Sequence, residues 1–209
     1  MRKKFFLYLA SRSPRRRSIL RRMGIAFRVI PSRYREPASV KDSPSRLVVR
    51  YATRKARQAV IPRKKAWVLG ADTIVYCRQR VLGKPRTRQE AFAALKFLSG
   101  RTHWVYTGVA LYSPTDGRIH SGYAKTRVDF RRLSGRDIAN YLKRINPFDK
   151  VGSYAIQVGQ KIVREIEGSY TNVMGLPCEL VSSMLRQIPR GTRASRFPLE
   201  KVALSGRGQ

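Results

Sequence analysis

The chain has 209 residues, with 45 Lys and Arg against 12 Asp and Glu, a formal net charge of +33. Hydrophobic residues at 42% and aromatics at 10% supply enough core-forming material to exclude global disorder despite that charge. The two cysteines, Cys77 and Cys178, stand far apart, which excludes a disulfide framework and a cysteine metal cluster and fits a reducing cytoplasm.

The length suits one substantial domain or two small lobes. A surface this basic attracts phosphates, nucleic acid and anionic membranes in a salt-sensitive way. It is equally read as a surface that is merely basic, because charge balance governs solubility and non-specific association rather than fold. The start, MRKKFFLYLA, imitates a signal peptide, but the apolar run from Phe5 to Ala10 is short and SRSPRRR follows at once. No stretch reaches the ~18 apolar residues of a membrane span. A soluble, cytoplasmic protein with no membrane partner is expected.

Phe5 to Ala10 reads as a short buried strand. Pro14 opens a helix to about Met23, and Gly24 ends it. Ala26 to Ile30 reads as a second strand, and the polar stretch from Arg33 to Asp42 as a loop. Ser43-Pro44 starts the next helix, with Leu47, Val48, Tyr51, Ala52, Lys55 and Ala59 near one face and Pro62 closing it. Trp67 to Val75 is an apolar strand interrupted by Asp72 and Thr73, and Arg78 to Leu82 pairs back with it.

Thr87-x-x-Glu90 has the capping-box pattern and leads a helix carrying Phe92, Leu95 and Leu98 to Gly100. Thr102 to Tyr112 and Ile119 to Leu133 read as strands joined by a turn at Thr115-Asp116-Gly117. Ser134-x-x-Asp137 opens a helix with Ile138, Tyr141 and Leu142 inward. Lys161 to Ile166 is a short strand, and Leu176 to Ile188 the last helix, with Pro177 in its first turn. This alternation, without repeats or linkers, predicts one α/β domain over residues 1–188 and a basic, mobile tail over 189–209. Neither a Rossmann fingerprint nor a Walker loop is present.

Five segments can carry chemistry. SRSPRRR puts Ser11, Ser13, Arg15 and Arg16 at a helix N-terminus, which suits phosphate binding and suits equally a basic helix face. GADT places Asp72 inside an apolar strand, where a carboxylate is costly unless paired, hydrogen-bonded or metal-bound. Such an Asp holds a divalent cation or takes a proton from water; a structural Asp capping nearby backbone is the alternative. In LGKP, Lys84 is a phosphate-reaching point charge or an ordinary turn lysine. FDKVGSYAIQ ends in Gln157, whose amide can read a base edge, unless the segment is a plain polar loop. EIEGSYTNVMGLP, with Gly168, Ser169 and Asn172, is a binding loop or the structural lead into the last helix. His103 and His120 lack metal spacing and are read as structural or exposed, and no Ser-His-Asp or Cys-His set is present.

In order along the chain, SxSPRR, GADT, LGKP, SGRTH with TGVAL, DKxGxYxIQ and EGSYxNVxGLP resemble the Maf family of nucleoside triphosphate pyrophosphatases, from about Leu7 to Arg186. The resemblance implies an α/β fold like that of inosine triphosphate pyrophosphatases, with a curved mixed sheet, flanking helices and two lobes around a cleft. It implies hydrolysis of a nucleoside triphosphate to the monophosphate and pyrophosphate with a divalent cation, Mg2+ or Mn2+, and a homodimer. Asp72 matches the family's proton acceptor. Arg15, Thr73 and Gln157 match positions tied to substrate choice. Ser13, Arg16, Lys55 and Lys84 match polar positions near the phosphates. Glu36, with Asp72, matches the metal site, although Arg33 and Arg35 stand where the family often has acids. The Asp149 to Gln157 segment is similar to the dTTP- and UTP-preferring branch rather than the branch acting on a methylated GTP, although Val158 replaces the usual glycine after it.

Two other functions stand beside this one. The charge suits a nucleic-acid-binding protein, with non-specific binding expected in any case. The family name is also associated with a non-catalytic regulator of septum formation and cell division.

Overall fold

A computed structural model describes residues 6–35, 42–62, 65–159 and 161–188. The tail over 189–209 and Glu36 lie outside the described residues.

The chain folds as a mixed seven-stranded sheet with flanking helices. Its path runs β2 (Arg28–Val29), β1 (Leu7–Leu9), β3 (Trp67–Cys77), β5 (Thr102–Tyr112), β6 (Ile119–Phe130) and β7 (Val163–Glu167), with β4 (Arg80–Leu82) also paired to β3. β1 pairs in parallel with β2 and β3; the other pairings are antiparallel. The expected α/β class with a mixed sheet is what is found.

One asymmetry in this sheet positions the site. β3 pairs with β5 continuously from Val68 to Tyr76. Its other edge is shared: β1 takes Trp67 to Leu69, and β4 takes Val75 to Cys77. Asp72 and Thr73 sit on the stretch between, beyond the carboxyl end of β1, where the chain turns into α1 (Pro14–Arg22). The carboxyl end of a parallel strand leading to a helix N-terminus is where α/β sheets hold ligands.

Strand alternation sorts the core onto two faces. Leu69, Ala71, Val109 and Leu111 pack toward α1 and α6 (Cys178–Arg186). Further along the same face, Val75, Cys77 and Val105 pack under α3 (Arg88–Leu98) and α4 (Gly135–Lys143). On the opposite face, α2 (Pro44–Arg57) covers Val68, Ile74 and Ala110. It lies unusually close because Gly70 and Gly108 face it without side chains. A Cβ on Gly70 would stand 2.2 Å from the Ala52 carbonyl oxygen, and one on Gly108 2.2 Å from that of Val48.

Local chemistry set most helix starts. Ser43 caps α2 with Pro44 in its first turn. Ser134 and Asp137 form the full reciprocal box at α4. At α3 the box is displaced: Thr87 Oγ1 accepts from the Glu90 N–H, but the Glu90 carboxylate accepts from Arg86, one residue before the cap.

Several boundaries differ from expectation. α2 stops at Arg57 because Ala59 is drawn into a bridge with Ser32. β6 stops at Phe130, three residues short, where the pairing with β7 shifts at Asp129/Phe130. Arg78 and Gln79, expected in strand, form the β3–β4 turn with φ of 44° and 60°. α6 begins at Cys178, and Pro177 stands at its cap rather than inside its first turn. Among the described residues no helix is long and apolar enough to cross a membrane.

Candidate functional site

A cleft of about 360 Å3 opens at the gap beside β3. Ser13, Arg15, Arg16, Lys55, Thr73, Lys84 and Gln157, chosen from separate sequence segments, all line it. Asp72 does not line it directly. It is 5% exposed on the α2 face of β3 and meets the cleft through Lys55, whose Nζ lies 2.5 Å from Asp72 Oδ1. The glycine-mediated approach of α2 brings this lysine over the carboxylate and offsets the cost of burying it.

The N-terminus of α1 forms one wall. Ser13 caps the helix, accepting from the Arg16 N–H, and its own N–H donates to Ser11 Oγ at 3.3 Å. Pro14 carries no N–H and the Arg16 N–H is taken by Ser13, so what α1 turns to the cleft is its positive dipole end alongside guanidinium groups. Arg16 spans three elements: Nε donates to the Gly175 carbonyl at 2.7 Å, Nη1 to Ser11 Oγ at 3.1 Å and Nη2 to Thr73 Oγ1 at 3.0 Å.

Arg15 crosses to the opposite wall. Its Nη1 donates to Asp149 Oδ2 at 3.2 Å and its Nη2 to the Asp149 carbonyl at 2.9 Å. Lys150 Nζ holds the other carboxylate oxygen at 2.6 Å. Burial works to raise the Asp149 pKa, but the Lys150 hydrogen bond and the Arg15 and Lys150 charges outweigh it, and the carboxyl lies below its usual range. Asp149 stood out in the sequence as part of a polar loop and as the first residue of DKxGxYxIQ, without a role of its own; its pairing with Arg15, 134 positions away, is a tertiary feature. Lys84 is brought to the same wall by the Gly152 N–H, which donates to the Gly83 carbonyl at 3.0 Å.

The segment carrying Gln157 is pinned from beneath. Tyr141 Oη accepts from the Ala155 N–H at 3.0 Å and donates to its carbonyl at 3.1 Å. Tyr154 Oη pairs with His103 Nε2 at 2.9 Å in the buried core. His103 is thus structural, as expected, and His120 lies 5.7 Å from the Trp67 ring. Burial pulls the His103 pKa from 6.5 down to about 4, outweighing the Arg101 backbone hydrogen bond and the Asp129 charge that favour the cation. The unfolded chain takes up this proton near pH 6.5, and the folded one resists until about 4. This contribution is present above pH 6.5 and lost as pH falls toward 4, by about 3 kcal/mol. Urea unfolding at pH 7, 6 and 5 should show a steeper loss for the native chain than for His103→Gln. Parallel slopes would refute a buried neutral imidazole.

The last predicted segment does both: Val173, Met174 and Gly175 line the cleft, and the residues before them make structural contacts. Ser169 caps α5 (Tyr170–Val173), a four-residue helix where a loop was expected. Asn172 is fully buried, its amide donating to the Val105 carbonyl and to Thr126 Oγ1. Gly168 and Gly175, at φ of 115° and 103°, allow the tight path that presents the Gly175 carbonyl to Arg16. Arg33 does not reach the cleft lining; it stands with Arg57 on a separate surface. Among the described residues no three of His, Cys, Asp and Glu converge on a common point. Tyr34 and Ser32 line the cleft with no signal in the sequence that would have singled them out.

The chain resembles proteins with established names. One from Thermoanaerobacter sp. (strain X514), named dTTP/UTP pyrophosphatase, is 44% identical over 183 residues, covering 87% of this chain and 95% of the relative. One from Moorella thermoacetica, with the same name, is 46% identical over 180 residues, covering 86% and 93%. A third, from Geobacter sp. (strain M21), also named dTTP/UTP pyrophosphatase, is 43% identical and covers 85% and 93%. The model of the family described as Maf-like protein matches residues 6–188, which takes in every cleft-lining residue, and the chain belongs to the Maf family.

Proposed function

We propose that the chain hydrolyses nucleoside triphosphates, dTTP and UTP foremost, to the monophosphate and pyrophosphate in this cleft. The observation that carries the reading is the convergence of Arg15, Arg16, Lys55, Lys84 and the α1 N-terminus on one space, with the buried carboxylate of Asp72 behind it, paired to Lys55. Cations arranged in advance around a phosphate chain supply the electrostatic stabilisation on which phosphoryl transfer depends. The names of the relatives point to the same substrates.

In this mechanism the triphosphate lies along the α1 N-terminus with its phosphates against Arg15, Arg16 and Lys84. Lys55, which lines the cleft, is drawn toward the phosphates and exposes the Asp72 carboxylate to water. Asp72 takes a proton from that water as its oxygen attacks the α-phosphorus, and pyrophosphate departs with its charge spread over the guanidinium and ammonium groups. Gln157 and Thr73 face the base or sugar.

The donor set fits a cation that arrives with its substrate. Mg2+ is commonly held by one or two carboxylates together with phosphates and water, and Asp72 provides one such carboxylate. Glu36 would provide a second. Held there, Mg2+ or Mn2+ would neutralise phosphate charge and activate water.

A triphosphate panel with Mg2+ or Mn2+, scored by pyrophosphate release, tests this reading. dTTP and UTP should lead it, and their turnover should survive ~0.3 M salt, where non-specific nucleic-acid contacts through the +33 surface fade. A protein without turnover that retains sequence-specific nucleic-acid binding at that salt would overturn the reading.

A further inference from the structure

Beneath the cleft, a hydrogen-bonded chain fixes the direction of one hydroxyl. Arg16 Nη2 donates to Thr73 Oγ1 at 3.0 Å. Thr73 Oγ1 lies 3.0 Å from Thr107 Oγ1, and Thr107 Oγ1 donates to the Asn172 carbonyl at 3.1 Å. The two ends cannot exchange roles: a guanidinium only donates and a carbonyl only accepts. Thr107 has one hydroxyl hydrogen and spends it on Asn172. Thr73 must therefore donate to Thr107, which leaves its oxygen purely an acceptor toward Arg16 and the cleft. Thr107 is fully buried and outside the cleft lining, on the strand position paired with Thr73. A threonine there, within the mostly apolar stretch from Val105 to Leu111, is not needed for packing alone.

We propose that Thr107 is a positioning residue for base selection: it locks Thr73 as an acceptor, so that the group read there is a donor. This rests on the hydrolysis of dTTP and UTP proposed above. An acceptor suits no phosphate oxygen, which is itself an acceptor. It suits the N3–H imide that thymine and uracil carry and that cytosine, with a bare ring nitrogen at N3, lacks. Without Thr107 the Thr73 hydroxyl can rotate and donate instead, and the discrimination falls.

The test compares UTP with CTP, by calorimetric binding and by pyrophosphate release, on the full chain. The native chain should favour UTP by about tenfold or more, the worth of one matched hydrogen bond. Thr107→Val should bring the ratio near unity, and Thr107→Ser, which restores the hydroxyl, should recover it. Thr73→Val should lose the same preference, with no further loss in the Thr73→Val/Thr107→Val double variant. An unchanged ratio in Thr107→Val, or additive losses in the double variant, would overturn the proposal, as would a native chain with no UTP preference. Should Thr107→Val not fold, Thr107→Ser against Thr73→Val decides: preference kept in the first and lost in the second is expected, and any other pattern overturns it. A binding ratio that shifts as described in a chain without turnover would sink the hydrolysis reading and leave this one standing.

Discussion

Asp72→Asn is expected to lower dTTP turnover by about 100-fold or more, on the scale of losing a positioned base, while the fold survives. Asn keeps the size of the side chain and one acceptor oxygen, so the strand register with Gly108 has no reason to change. What it removes is the proton acceptor and the charge that Lys55 meets at 2.5 Å. Substrate binding should hold or tighten, because Lys55 is then released to the phosphates. The loss should appear in kcat rather than KM. Undiminished turnover in Asp72→Asn would remove Asp72 from the chemistry, and full in-cell function of an inactive Asp72→Asn chain would favour a regulatory role instead.

Among the glycines of the described residues, Gly108→Ala should be the most damaging. Its Cβ would lie 2.2 Å from the Val48 carbonyl oxygen and 2.6 Å from the Val49 nitrogen, both backbone atoms of a packed helix. Overpacking of flexible cores costs about 1–3 kcal/mol, and here neither wall can rotate away, so about 4 kcal/mol is expected. Activity should fall as well, because lifting α2 carries Lys55 away from the cleft and the phosphates bound there. Gly83→Ala is the control: open space surrounds its Cβ, and its stability should change by less than about 0.5 kcal/mol. Urea midpoints of the two variants provide the comparison, and equal midpoints would refute the close helix-on-sheet contact.

Features with local causes were legible in the sequence. Ser43-Pro44 and Ser134-x-x-Asp137 announce helices because a cap satisfies N–H groups within one turn. The β5–β6 hairpin was legible from two strand-like runs around the Thr115-Asp116-Gly117 turn. The Arg78-Gln79 turn was not, since neither residue is one that favours positive φ. α5 escaped notice because four residues are too few for a helical period.

Cleft residues were legible as types and segments, but their partners were not. Asp72 stood out as a carboxylate in an apolar strand, whereas Lys55 as its partner depends on Gly70 and Gly108 admitting α2. Arg15 was marked as a phosphate ligand, and its clamp by Asp149 emerged only in three dimensions. Thr107 was legible only as the first residue of the TGVAL motif, with no local feature to assign it a role. The strong basic charge was the loudest signal in the sequence and the least informative about the site, because most of it lies outside the cleft.

The most direct measurement of the central claim is the product mixture formed from dTTP by the native chain with Mg2+, followed by phosphorus NMR. Attack at the α-phosphorus gives dTMP and pyrophosphate and nothing else, which is the expected result. dTDP with orthophosphate, or no turnover at all, would contradict a pyrophosphatase built around Asp72.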